Sequence, residues 1–143
     1  MSFPDDPRQD IAYEVRGTFR AFENALISAL AEKDISVGFF HILRLSWPED
    51  GRTQKEVAEL AFMTPSVASQ QIQKMCKAGL LFRESDPKDI RKKIVKLTEE
   101  GLKAKNNLVA PILLIPEIAS ENISNEDILT TVRVLHELRT KLK

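Results

Sequence analysis

Disulfide chemistry has almost nothing to work with in this chain, because its 143 residues hold a single cysteine, Cys76. One thiol closes no internal bridge, and a small secreted scaffold needs several, so a reducing cytoplasm fits best. The opening residues lack the basic-then-apolar order of an export signal, since Asp5, Asp6, Arg8 and Asp10 break up the first ten positions. Long hydrophobic runs are missing as well. The apolar, uncharged stretch from Asn106 to Pro116 is too short to cross a bilayer and is interrupted by Pro111, so a soluble protein with no membrane partner is expected. Histidine is scarce: His41 and His136 are the only two, without metal-ligand spacing, a phosphate-cradling glycine loop or a Ser/His/Asp arrangement. Neither an enzyme nor a cofactor is expected, and a metal sensor built on those histidines or on acids is a minor alternative.

Excess charge is absent too, for the formal net charge is zero. The average conceals an asymmetry. Between Phe62 and Thr98 there are eight basic residues (Lys74, Lys77, Arg83, Lys88, Arg91, Lys92, Lys93, Lys96) and three acidic ones (Glu84, Asp86, Asp89). The remainder is therefore acidic. A basic middle between acidic ends suits a duplex-binding segment carried by a non-binding scaffold, and equally a solvated charged hairpin.

What is present is helical periodicity. Ile11, Val15, Phe19, Phe22, Leu26 and Leu30 share one face of a helix predicted from about Pro7 to Lys33. Ser36 caps a second helix, with Phe39, Ile42, Leu43 and Ser46 on one side, stopped by Trp47 and Pro48. Glu49 to Arg52 read as a turn. Thr53 with Glu56 is a capping-box signature for a short helix ending near Phe62. Thr64 before Pro65 opens the next, which runs to about Ala78 with Gly79 as its left-handed terminator. Two short helices so closely joined form a helix-turn-helix. Leu80 to Ser85 and Lys93 to Leu97 then read as strands around the turn residues Asp86 to Asp89, a wing. Thr98 caps a further helix, in which Pro111 and Pro116 predict a kink or break. Ser124 caps the last, with Ile128, Val132, Leu135, Leu138 and Leu142 as its apolar stripe.

The Pro65–Ala78 helix reads as two-sided. Ala68, Ile72, Met75 and Gly79 are expected to pack inward. Ser66, Ser69, Gln70, Gln73 and Lys74 face away; the serines and glutamines can hydrogen-bond base edges, while Lys74 and Lys77 suit phosphates. At the hairpin tip Arg91 suits the narrow, negative minor groove, and Asp89 a structural pairing that fixes the wing.

The run from Thr53 to Gly101 resembles the MarR (multiple antibiotic resistance regulator) family, through Thr64-Pro65-Ser66, Lys77-Ala78-Gly79-Leu80, Asp86-Pro87-Lys88-Asp89-Ile90-Arg91 and Leu97-Thr98-Glu99-Glu100-Gly101. Lys88 and Ile90 depart from a pattern that is often arginine at both places, which either weakens minor-groove reading or shifts weight onto Lys92 and Lys93, themselves also readable as ordinary exposed strand charge. The resemblance implies a mainly α fold with a small β-wing: a winged helix-turn-helix over residues 35–98, flanked by dimerisation helices over residues 1–34 and 99–143. It further implies a homodimeric, sequence-specific transcriptional regulator, a repressor released by a small ligand and bound to double-stranded DNA at a pseudo-palindromic operator. A winged-helix protein-interaction module without DNA binding is the alternative. For the ligand, a small organic anion, Arg16, Arg20, His41, Arg44 and Trp47 are the candidate groups, each of which also reads as solvated or core. Cys76, beside Met75, is expected to be a small, partly buried apolar residue and not an oxidant sensor.

Overall fold

The protein's structure, a computed structural model, describes residues 5–143. Six helices and three strands follow in the order α1 (Arg8–Ala31), α2 (Val37–Leu45), β1 (Arg52–Thr53), α3 (Gln54–Leu60), α4 (Pro65–Lys77), β2 (Leu81–Asp86), β3 (Asp89–Leu97), α5 (Glu99–Ala119) and α6 (Asn125–Lys141). The fold is mainly α with a small antiparallel wing. Helix starts obey local capping chemistry: the hydroxyls of Ser36, Thr53, Thr64 and Ser124 each accept from the backbone N–H three residues on. At Thr53 the hydroxyl also donates to Glu56 Oε1 at 3.1 Å, tying the first turn of α3 together.

The chain divides into two compact units, one running to Ile112 and one from Leu113 to Lys143. In the first, the core gathers Leu30, Phe40, Ile42, Leu43, Val57, Ile72, Met75, Val95 and Leu97, drawn from α1 to α4 and the sheet. Only the C-terminal part of α1 contributes, through Leu26 and Leu30; Val15, Phe19 and Phe22 of the same stripe are exposed. The second unit holds the end of α5 and all of α6, and no residue of α6 is buried.

Four local expectations are revised. The Glu49–Arg52 turn ends in a short strand, for Arg52 and Thr53 pair with Val95 and Ile94, giving the sheet order β1-β3-β2. Gly51 permits this close approach, because a Cβ there would press on the side chains of Ile94 and Lys96. The wing is also longer than its apolar pattern, β3 starting at Asp89 and leaving Pro87 and Lys88 as the turn. Polar residues hide this part of the strand because both of its faces meet solvent. Gly79 is exposed and adopts φ +77°, so it terminates α4 and does not join its packed face. Finally, α5 passes unbroken through Pro111 and Pro116. Both prolines are exposed, as is Asn107, whose carbonyl loses its partner at Pro111 and can turn to water.

Candidate nucleic-acid interface

Helix α4 presents the two faces its sequence requires. Ala68, Ile72 and Met75 are fully buried, while Ser66, Gln70, Gln73, Lys74 and Lys77 are exposed and Ser69 is half-buried. Gln71 lies at the border, packed toward Gly38 of α2, where a Cβ would stand 3.5 Å from its Nε2. Cys76 is half-buried.

The end of α4 is clasped to the start of α5. Thr98 Oγ1 donates to the Gly79 carbonyl at 2.6 Å and accepts from Gly101 N at 3.0 Å, and Thr98 N donates to the Leu80 carbonyl at 3.0 Å. A Cβ on Gly101 would collide with that Leu80 carbonyl. The Gly79-Leu80 and Leu97-Thr98-Glu99-Glu100-Gly101 motifs are thus two halves of one joint.

Two aspartates shape the wing tip. Asp86 Oδ1 accepts from Lys88 N at 2.9 Å, and Asp89 Oδ1 accepts from Arg91 N at 3.1 Å and Arg91 Nε at 3.3 Å. Asp89 therefore has the structural role its position suggested, and the Arg91 side chain stays 88% exposed beside it. Lys92 is exposed; Lys93 donates to Ser85 Oγ at 3.1 Å, and Lys96 pairs with Glu84 at 2.5 Å. Three of the basic residues counted in the sequence, Arg91, Lys93 and Lys96, are thus engaged within the hairpin. An open depression between α3 and β3 is lined by Thr53, Gln54, Lys55, Glu56, Glu59, Lys92 and Lys93. Sequence reading missed Lys55 because it lies outside the basic segment; antiparallel pairing of β1 with β3 brings α3 to the wing.

The ligand candidates are drawn from α1, α2 and the residue pair that follows α2. Arg16 and Arg20 are exposed on α1 and Arg44 on α2. His41 is half-buried, and burial lowers its pKa, against the raising effect of Glu23, with Arg44 lowering it further. Burial therefore favours its neutral form. Trp47 is 47% exposed and shares a shallow depression with Asp50, Gly51 and Arg52, none of them a candidate.

Lys105 is the residue the sequence did not signal. It is 6% exposed on α5, donates to the Ser46 carbonyl at 2.8 Å and sits 3.1 Å above the centre of the Trp47 ring. Arg52 donates to the neighbouring Leu45 carbonyl. Two cations thus cap the C-terminal, electronegative end of α2 from other elements. Burial, then Arg52 and Arg44, pull the Lys105 pKa down to about 8.

A helix-turn-helix followed by a basic hairpin and flanked by long helices defines the winged-helix class. Residues 48–92 match the model of the MarR family. MepR of S. aureus in its DNA-binding conformation is similar over 93% of this chain and 98% of its own, at 21% identity and TM-score 0.84. CouR from Rhodococcus jostii RHA1, bound to p-coumaroyl-CoA, is similar over 94% of each chain, at 22% identity and TM-score 0.83. The transcriptional regulator SlyA is similar over 93% of this chain and 94% of its own, at 21% identity and TM-score 0.79. No curated protein matches the chain by sequence. Residues 48–92 are therefore similar to the MarR family, and the chain has the winged-helix fold of the solved regulators it resembles.

Proposed function

We propose that this protein is a homodimeric, sequence-specific DNA-binding transcriptional regulator of the cytoplasm, a repressor that a small ligand releases from a pseudo-palindromic operator. The observation that carries this reading is the exposed Ser66, Gln70, Gln73 and Lys74 face of α4 beside a basic wing tipped by Arg91. Side chains of this kind offer hydrogen bonds to base edges, and the adjoining lysines offer charge to phosphates. Ser69 and Lys77 extend the face, and Lys92 continues it on the wing. MepR, of similar fold, has been solved as a DNA complex. The apolar residues left exposed on α1, and separately on α6, support dimerisation through the terminal helices. A two-fold dimer reads a two-fold site.

A small organic anion is the effector class that Arg16, Arg20 and Arg44 suit, with His41 and the Trp47 ring offering a hydrogen bond and an apolar face. It acts through its difference in affinity between DNA-competent and incompetent shapes. Selection from random duplex DNA is the test: a palindromic consensus supports the regulator, and no enrichment rejects it. Aromatic carboxylates titrated into the protein–operator complex then test the effector. Release that Arg44→Ala blunts supports the site, whereas an unchanged response removes Arg44 from it.

A further inference from the structure

The wing carries an apolar side chain where solvent alone would favour a polar one. Ile90 is 79% exposed, more than any other large apolar residue among the described residues up to Ile112. It cannot fold back easily. The amides of Lys88 and Arg91 on either side are tied to Asp86 and Asp89, which fixes the backbone, and β-branching restricts the side chain itself. Ile90, Arg91 and Lys92 fall where the β2–β3 register shifts, between the Asp86–Asp89 and Ser85–Lys93 pairs, so the tip bulges out of the ladder. Lys88, Arg91 and Lys92, its near neighbours in the chain, are all exposed. Cations beside an apolar tip complement a surface with anionic rims and apolar walls. The minor groove is such a surface, since deoxyribose C–H groups wall it and phosphates line its edges.

We infer that Ile90 is a specificity-determining residue of the wing, packing against the sugar wall of the minor groove beside Arg91 and favouring A·T pairs there. This rests on the DNA-binding reading above and adds a source of sequence preference without a hydrogen bond. The preference follows from shape: guanine alone projects a 2-amino group into the minor-groove floor, lifting an apolar tip away from the walls. Arg91, anchored through Nε to Asp89, supplies the charge, and Ile90 the fit.

The test uses the full chain and the operator obtained by duplex selection. Ile90→Ser is expected to bind about 5- to 20-fold more weakly than the parent, with an unchanged salt slope because no charge is altered. Ile90→Val is expected to retain most of the affinity. Exchanging A·T for G·C at the wing-contacted pairs should weaken the parent more than Ile90→Ser. Inosine·C, which lacks the 2-amino group, should restore parent binding. Thermal melting of Ile90→Ser should match the parent, since the side chain has little packing to lose. Equal affinities for parent and Ile90→Ser, or equal penalties for G·C and inosine·C, would overturn the inference while leaving the regulator standing. A parent chain that selects no duplex overturns both.

Discussion

Single side chains show where pattern reading succeeds and where it stops. The exposed face of α4 was legible because helical spacing alone separates Ala68, Ile72 and Met75 from Ser66, Gln70 and Gln73. Lys105 was not, because a lysine in a helix reads as solvated until the fold sets Trp47 and the end of α2 against it. Its consequence is measurable. The folded-state pKa of about 8 lies below the ordinary 10.5, so between those values the unfolded chain holds more protons. The contribution of Lys105 to stability is therefore fully present above pH 10.5 and is lost as pH falls through about 8. Urea midpoints measured at pH 7.5 and 10 should rise more in the parent than in Lys105→Met; parallel changes would put the ammonium in solvent. Arg91 makes a second prediction at this scale. Arg91→Ala should weaken operator binding by about 1–3 kcal/mol, and Lys92→Ala by less, as read by fluorescence anisotropy. Equal small losses with equal changes in salt slope would reduce Arg91 to a phosphate contact.

Elements announce their starts better than their extents. Ser36, Thr53, Thr64, Thr98 and Ser124 marked helix starts correctly because capping is chemistry between residues three apart. The outer half of β3 and the whole of β1 escaped detection, since their pairing depends on partners some forty residues away or on a solvent-facing hairpin. The break that the prolines of α5 allow does not occur, for the rule is local and the exposed face at Asn107 gives the carbonyl freed by Pro111 another partner. Two glycines allow the joint between α4 and α5 to be tested. Gly79→Ala has space for its Cβ but an unfavourable φ of +77°, and should cost about 1 kcal/mol. Gly101→Ala should cost about 1–3 kcal/mol, because the Leu80 carbonyl must move. Denaturant titration that finds both substitutions neutral would remove the clasp from any account of stability.

At the scale of the whole molecule, the winged-helix class and its family resemblance were readable from one contiguous run, Thr53 to Gly101, whereas how much of α1 packs within the chain was not. Its stripe looks uniform in sequence, yet Leu26 and Leu30 are buried within the first unit while Val15, Phe19 and Phe22 are left exposed. Removing residues from Ser124 onward should therefore leave monomer or aggregate in sedimentation velocity; a well-behaved dimer would move the interface elsewhere. The clasp at Thr98 also gives the molecule a mechanical property. In the DNA-binding role proposed above, α4, thirteen residues and about 20 Å long, is joined at its C-terminal end to the start of α5 by the Thr98 hydrogen bonds, which offer a pivot. A tilt of about 5° at that pivot sweeps the Ser66 end through roughly 2 Å, several times the span of acceptable hydrogen-bond lengths. Under the proposed function, a small arc is enough to detune the fit to DNA.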